Sequence, residues 1–134
     1  MRLRAHLEHM IKSNKKLNIV FSKTKYQLMS PKKLNRIAVL IRKKTVSESM
    51  SILRNMNQRS ALLLYKSLYS AYANAINNHG MSSEKLLVNH ILINEGPRHK
   101  RFQPRARGRM YKIIKRTSHI IIGVTEGEIG GAKN

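Results

Sequence analysis

The sequence predicts an α+β fold in which a helical body carries β-strands and a projecting basic ribbon. Three observations predict it. Apolar residues recur at helical spacing between residues 30 and 80, and short runs of branched apolar residues follow at 86–93 and 119–124. A basic stretch lies between those two runs, and residues 96–125 contain no acid. A chain of 134 residues is long enough for one compact domain with a real core.

The first predicted elements are a strand and a helix. Residues 19–29 are partly β-prone and predict a strand. Ser30 and Pro31 predict a helix start, because a serine side chain can cap free N–H groups and proline at the first helical position has no N–H to lose. The apolar stripe of this helix is Leu34, Ile37, Ala38 and Ile41. Basic residues cover the rest, so we expect a positive outer face.

Two further helices complete the predicted body. Thr45 and Glu48 match a capping box, which predicts a short helix running to about Met56. The longest helix is expected to begin near Asn57 and to end at Gly80, because glycine readily adopts the left-handed conformation that terminates helices. Its apolar side is predicted to be Ala61, Leu64, Tyr65, Leu68, Ala71, Tyr72, Ala75 and Ile76.

The segment between the two apolar runs predicts a ribbon that folds back on itself. If the flanking strands pair antiparallel, ten residues per limb at ~3.3 Å each would project it roughly 30 Å. Bends near its base and tip are supplied by Gly96, Pro97, Pro104 and Gly108. The ribbon cannot bury its own surface and its charges repel one another, so we expect it to be ordered only when phosphates surround it.

The residue pattern favours a specific arm over the alternative of a disordered basic loop that neutralises polyanions. Arginines alternate at positions 105, 107 and 109, which in an extended chain directs the guanidinium groups to one side. There each could bind phosphate oxygens or stack on a base. Apolar residues are interleaved with the charges at Phe102, Met110 and Tyr111.

Composition restricts the function further. Lysine and arginine total 27 against 6 acids, all of them glutamate, which gives a net charge of +21 and predicts a polyanionic partner. Nucleic acid is the first candidate and an anionic membrane surface the second. The absence of aspartate argues against two-metal phosphoryl chemistry, and the absence of cysteine excludes disulfides and thiolate zinc sites. No apolar run reaches membrane-spanning length.

Other candidate sites are weaker. His6 and His9 flank Glu8 as a possible metal pair, but exposed helix residues explain them better. Ser118 beside His119 resembles a nucleophile and base, although no orienting acid is near in sequence. The basic, amphipathic first dozen residues resemble an organelle presequence or form an ordinary extension helix. No catalytic residue, metal or cofactor is predicted.

Several residue blocks resemble one family. Residues 94–120 read NEGPRHKRFQPRARGRMYKIIKRTSHI, and this segment is similar to the signature of the universal large-ribosomal-subunit protein twenty-two family in its bacterial and organellar form. Agreement continues at residues 30–33 with 41–42, and at 70–75 with 77–80. The resemblance covers roughly residues 25–126. It departs at Lys43, where the family commonly has glycine, so the first helix is expected to end less sharply.

The resemblance implies a fold and a position in the large ribosomal subunit. Members have three helices packed on a small three-stranded antiparallel sheet with a long β-hairpin, here at about residues 96–117. The body binds large-subunit rRNA near the exit of the peptide tunnel, beside neighbouring ribosomal proteins. The hairpin reaches inward, and its tip lines the tunnel and transiently meets the nascent polypeptide. Members also support early subunit assembly. Residues 1–24 and 127–134 would then be a basic extension and a flexible tail.

Site residues follow from the basic pattern together with the resemblance. The rRNA-binding set is Lys32, Lys33, Arg36, Arg42, Arg98, Lys100, Arg101, Arg105, Arg107, Arg109, Lys112, Lys115, Arg116 and His119. The tunnel tip is expected at Arg98, His99, Lys100, Arg101 and Phe102. Residues 68–75 resemble plastid-type members, and the frequent Lys, Asn and Ile are typical of an AT-rich genome such as an organellar one. Both favour a plastid ribosome, in the stroma, over one in the bacterial cytoplasm.

Three other functions compete with this interpretation. A DNA-architectural protein would use the ribbon as an arm, with Phe102 and Pro104 as wedges between base steps. An RNA-modifying or RNA-cleaving enzyme would need a cofactor loop or an acid–base pair, and the sequence contains neither. A membrane-active cationic protein fits least, because the amphipathic N-terminal stretch is short and most of the charge lies elsewhere. Neither DNA nor a membrane is the expected partner.

Overall fold

The computed structural model describes residues 18–127. Three strands, β1 (Ile19–Gln27), β2 (Leu86–Pro104) and β3 (Met110–Glu126), form one antiparallel sheet in the order β1-β3-β2. Three helices, α1 (Pro31–Ile41), α2 (Val46–Arg54) and α3 (Arg59–His79), join β1 to β2. The predicted α+β architecture of three helices and a three-stranded antiparallel sheet is therefore confirmed.

The core lies between the helices and the body end of the sheet. Every second residue in the body end of the central strand β3 points into it, and Ile120, Ile122 and Val124 are fully buried. The predicted apolar stripe of α1 is buried throughout. On α3 the alanines and leucines of the predicted set are buried, whereas Tyr65, Tyr72 and Ile76 are half-buried at its margin. Periodicity therefore identified the core faces of the helices correctly.

Helix starts follow the sequence prediction only in part. Ser30 precedes α1 as predicted, but its side chain makes no capping hydrogen bond, and its carbonyl accepts from the N–H of Lys33 (3.1 Å) instead. The Thr45 hydroxyl does accept from the N–H of Glu48 (3.2 Å). Glu48 does not complete the capping box, because its carboxylate accepts a hydrogen bond from Lys44 Nζ (2.6 Å).

Helix ends show where the chain departs from expectation. α2 ends at Arg54, two residues before the predicted Met56, and α3 begins at Arg59. α3 ends as predicted, with Gly80 in the left-handed conformation. The expectation of a less sharp end to α1 is wrong, because Lys43 itself adopts a positive φ of 62°. Backbone hydrogen bonds that join Lys43 and Lys44 to Val88 hold that conformation, which costs a non-glycine residue roughly 1–2 kcal/mol.

The folded region is slightly longer than the predicted domain. β1 begins at Ile19, so six residues assigned to the N-terminal extension pair with β3. At the other end, the Gly127 N–H donates to the Lys85 carbonyl (3.1 Å). The predicted N-terminal helix, the candidate metal pair at residues 6–9 and the rest of the predicted tail lie outside the described residues.

Candidate RNA-binding surface

Strands β2 and β3 continue beyond the body as a two-stranded arm. Their pairing runs without a break from Arg98 opposite Arg116 to Pro104 opposite Met110. Every residue from 97 to 116 is exposed. We call residues 98–116 the arm; it contains nine basic residues and no acid. Because nothing in the described chain neutralises most of these charges, the arm is a candidate surface for a polyanion.

Both faces of the arm present positive charge beside apolar side chains. Residues directly opposite in an antiparallel pair share a face. One face consists of Arg98, Lys100, Phe102, Pro104, Met110, Lys112, Ile114 and Arg116. The other consists of His99, Arg101, Gln103, Tyr111, Ile113 and Lys115. Phe102 and Tyr111 are 64% and 56% exposed on opposite faces. The arm is therefore suited to contact RNA on two sides at once.

The arm ends in a tight turn at Arg105–Arg109. The Arg105 N–H donates to the Arg109 carbonyl (2.8 Å), and Arg107 and Gly108 have positive φ values of 59° and 69°. The predicted alternation of arginines toward one side is wrong, because these residues lie in a turn and not in an extended strand. The Arg105 guanidinium instead lies 5.5 Å from the centre of the Tyr111 ring, in cation–π range.

The turn also corrects the predicted position of the tip. The residues expected there, Arg98 to Phe102, lie in the β2 limb and pair with Arg116 to Lys112. The tip of the hairpin contains a cleft of about 580 Å³, which is lined by Arg105, Ala106, Arg107, Arg109 and Tyr111. Three guanidinium groups and one aromatic ring in such a cleft can bind a phosphate and stack on a base.

A small ion-pair network fixes the base of the arm. Glu95 accepts from Arg98 on its own strand (2.6 Å) and from Arg116 on the other (3.2 Å). The hydrogen bond and the charge of Arg98, with the charge of Arg116, hold the pKa of Glu95 below its ordinary value. Arg98 and Arg116, both predicted to bind rRNA, therefore also have an internal partner. Sequence reasoning missed this role of Glu95.

The same base contains a bulge that only glycine fits. Pairing is interrupted between Glu95 and Arg98, at Gly96-Pro97, where a bend was predicted. A Cβ on Gly96 would overlap the Thr117 hydroxyl, which donates to the Pro97 carbonyl (2.6 Å). The bulge thus gives the arm its fixed departure from the sheet.

His119 is anchored in the body. Its Nδ1 accepts from the Tyr26 N–H (3.0 Å), so its neutral form carries the proton on Nε2, and the two rings meet edge to face at 4.8 Å. Ser118 is fully buried, and its hydroxyl donates to the Met29 carbonyl (2.6 Å). Adjacent strand residues point to opposite faces of the sheet. The structure therefore gives both residues structural partners and does not bring them together as a nucleophile and base.

The basic residues of α1 form a second positive surface. Lys32, Lys33 and Arg36 are exposed and can contact phosphate. Arg42 has an internal role as well, because its guanidinium donates to the Ile91 carbonyl (3.4 Å) and ties the end of α1 to β2.

Residues 18–127 provide neither a metal site nor a membrane-spanning helix. No group of three histidine or glutamate side chains there could hold a metal ion. None of the described helices combines the length and apolar content that a transmembrane segment requires.

Comparison with known proteins agrees with the residue patterns. The family model described as ribosomal protein L22p/L17e matches residues 22–125. The chain is 53% identical over 102 residues to the large ribosomal subunit protein uL22 of Mycoplasma mobile, covering 76% of this chain and 93% of the relative. It is 50% identical to the protein of the same name from Mesoplasma florum, over 75% of this chain and 90% of the relative. A third uL22, from Mycoplasma capricolum, is 50% identical over 73% and 88% of the two chains.

Proposed function

Since the chain belongs to the ribosomal protein L22p/L17e family and is a structural component of the large ribosomal subunit, we propose that its arm is the main rRNA-binding element. The observation that carries this proposal is the exposure of nine basic residues, six on the two paired limbs and three in the turn, without an acid among them. We propose that rRNA contacts the basic residues predicted from the sequence on the arm and on α1. His119 would have a structural role in the body beside them. The proposed role is structural and involves no catalysis.

The physical basis of binding is the replacement of counterions. Each lysine or arginine that meets a phosphate releases condensed cations into solution, which makes binding favourable and dependent on salt. Because both faces of the arm are positive, RNA segments on opposite sides can approach without repelling each other. Phe102 and Tyr111 can stack on unpaired bases at the same time. In this way the arm would join rRNA segments during subunit assembly.

We further propose that the far end of the arm lines the peptide exit tunnel, as the family resemblance implies. The turn at Arg105–Arg109 lies at the end of the arm furthest from the body. Residues 98–102 would form the adjoining part of the tunnel wall. Nascent chains would meet a positively charged surface there. The domain that carries this arm would comprise about residues 19–126, with the segments on either side as extensions.

The relatives with the same family membership bear on the cellular location. They are bacterial proteins from mycoplasmas and related genera, and they give no support to the predicted plastid location. We therefore propose a bacterial ribosome in the cytoplasm. Large-subunit rRNA and neighbouring ribosomal proteins are the proposed partners, and nothing in these comparisons favours the DNA-architectural alternative.

Sedimentation tests the proposal. The tagged chain is expressed in a bacterium, and the lysate is separated on sucrose gradients at high and low magnesium. We expect the chain to sediment with ribosomes at high magnesium and with the large subunit alone at low magnesium. A chain that stays at the top of the gradient, or moves only with DNA, would contradict the proposal.

A charge-matched pair of variants then tests the role of the arm. One variant carries glutamine at four arm positions, Lys100, Arg101, Lys112 and Lys115. The control carries glutamine at four exposed body positions, Lys23, Lys25, Arg54 and Lys85. We expect only the arm variant to be depleted from the large-subunit fractions. Equal depletion of both would mean that total charge matters and the arm has no special role.

A further inference from the structure

Three tyrosines form a ladder along one side of α3. Tyr65, Tyr69 and Tyr72 are spaced so that they share a helix face. The rings of Tyr65 and Tyr69 are 6.4 Å apart and nearly parallel, at 17°, and those of Tyr69 and Tyr72 are 6.3 Å apart. Tyr69 is 55% exposed, while its two neighbours are half-buried against the core. The ladder therefore holds one aromatic ring at the surface on a rigid support.

The exposed ring belongs to a larger apolar patch. Leu62, one turn before Tyr65, is 53% exposed. A cleft of about 330 Å³ between α2 and the start of α3 adjoins the ladder at Tyr65, and it is lined by Leu53, Arg54, Met56, Leu62 and Tyr65. Contiguous exposed apolar surface of this kind marks an interaction site.

Charge indicates which partner the patch fits. α3 has no acidic residue in its 21 positions, and Lys66 is exposed within the span of the ladder. Lys66 lies three residues before Tyr69, close enough for one ligand to touch both side chains. A nucleotide strand offers a base for the ring and a phosphate for the ammonium group. A protein segment would have to supply both an apolar and an acidic side chain in that arrangement.

We propose that the tyrosine ladder is a stacking site for unpaired nucleotides, in which Tyr69 stacks on a base and Lys66 contacts a flanking phosphate. The proposal rests on the RNA-binding function of the chain and assigns a second, chemically different contact to the body. The nucleotides must be unpaired, because a base within a duplex does not offer its face to a side chain. Aromatic stacking tolerates any base, so this site would add affinity without reading sequence.

The first test compares two substitutions at one position in the full-length protein. Tyr69→Leu removes the ring and Tyr69→Phe keeps it; both suit an exposed helix position, and circular dichroism verifies that each variant is folded. The probes are a 20-nucleotide oligouridylate and an RNA duplex of the same length. We expect Tyr69→Leu to weaken oligouridylate binding about fivefold or more, while Tyr69→Phe binds like the wild type and duplex binding is unchanged. Equal binding of oligouridylate by all three proteins would overturn the proposal.

The second test locates the contact. Ultraviolet crosslinking of the wild type to oligouridylate, followed by trypsin digestion, should give a nucleotide adduct on peptide 67–85, which contains Tyr69 and Tyr72. We expect the adduct to persist in Tyr69→Phe and to fall in Tyr69→Leu. Adducts confined to arm peptides would overturn the proposal. The same crosslinking can be done on isolated large subunits, and a crosslink there from peptide 67–85 to protein only would also overturn it.

The outcomes separate this inference from the proposed function. If the wild type binds neither RNA probe nor ribosomal subunits, the RNA-binding function itself fails. If the wild type binds RNA through the arm and Tyr69→Leu has no effect, only the stacking site fails.

Discussion

The body and the arm share strands β2 and β3, yet the two ends of each strand lie in opposite environments. In β3, residues 117–125 are buried except for the half-buried His119, whereas residues 110–116 are all exposed. Isoleucine occurs in both parts. Ile120 and Ile122 are fully buried, while Ile113 and Ile114 are 38% and 40% exposed. The same residue type in the same strand therefore contributes to a core in one place and to an exposed surface in the other.

This difference shows that two kinds of force hold one continuous sheet. The body end is stabilised by burial of apolar surface against three helices, which requires no partner. The arm has only its ladder of hydrogen bonds and a few side-chain contacts, and its like charges oppose pairing. A two-stranded hairpin is marginally stable in water. We therefore expect the arm to depend on an anionic partner in a way that the body does not.

Shortening the arm should give the largest difference between RNA binding, which we assign to the arm, and stability, which we assign to the body. Replacing residues 98–116 by Asn-Gly, which favours a tight hairpin turn, removes nine basic residues but no core residue. We expect affinity for large-subunit rRNA to fall at least about a hundredfold at moderate salt, with the melting temperature changed by only a few degrees. Filter binding and circular dichroism measure the two effects. If the shortened protein binds rRNA nearly as well as the full chain, the arm is not the main RNA-binding part of the molecule.

A core substitution should give the reverse pattern. Leu64 on α3 is fully buried, so Leu64→Ala should lower the free energy of unfolding by about 2–5 kcal/mol. Urea denaturation measures this loss. Below its lowered melting temperature, we expect the variant to bind rRNA with the affinity of the wild type. A loss of affinity in the folded variant would show that the body and the arm are coupled.

A single arm charge should have a much smaller effect. Lys100 is exposed on the β2 limb and has no acidic partner in the described chain. Lys100→Gln should weaken rRNA binding modestly and lower the slope of log affinity against log salt by about one. Lys85→Gln, on the body, is the matched control and should leave the slope unchanged. Equal slopes for wild type and Lys100→Gln would mean that this lysine meets no phosphate.

The mildest test concerns the junction of the two parts. The pKa of Glu95 is lowered in the folded protein. Its ion pairs therefore stabilise the base of the arm at pH values above the ordinary glutamate pKa of about 4.3. That contribution should disappear as the pH falls through the lowered pKa. Amide chemical shifts of Arg98 and Arg116 in nuclear magnetic resonance spectra should then move. Glu95→Gln should show the shifted positions already at pH 7; unchanged shifts in that variant would contradict the role of Glu95.

The body could be predicted from the sequence because burial leaves a periodic pattern. The stripe on α1, the apolar side of α3 and the Gly80 terminus were all predicted from local spacing, and all agree with the structure. The missing half of the Thr45–Glu48 capping box was not predictable, because Lys44 competes for the carboxylate. The conformation of Lys43 was missed for a similar reason, since hydrogen bonds to β2 override its local preference.

The arm left a weaker pattern. Its charge and its bend at Gly96 were visible in the sequence, but an exposed ribbon has no buried face to fix its register or the position of its turn. The bends predicted at Pro104 and Gly108 do flank or lie in the observed turn, but the tip implied by the resemblance, at residues 98–102, lies before that turn, and the arginines at 105–109 were assigned to a strand. The ladder at Tyr65, Tyr69 and Tyr72 does have helical spacing, yet spacing alone does not show that Tyr69 faces solvent.

Hydrogen exchange of the full-length protein, free and bound to large-subunit rRNA, tests the central claim most directly. In the free protein we expect amides of residues 98–116 to exchange much faster than those of residues 120–124 in the same sheet. Binding of rRNA should slow exchange throughout the arm and leave the protected β3 core unchanged. An arm that is as protected as the core without RNA, or one that rRNA does not protect, would contradict the account.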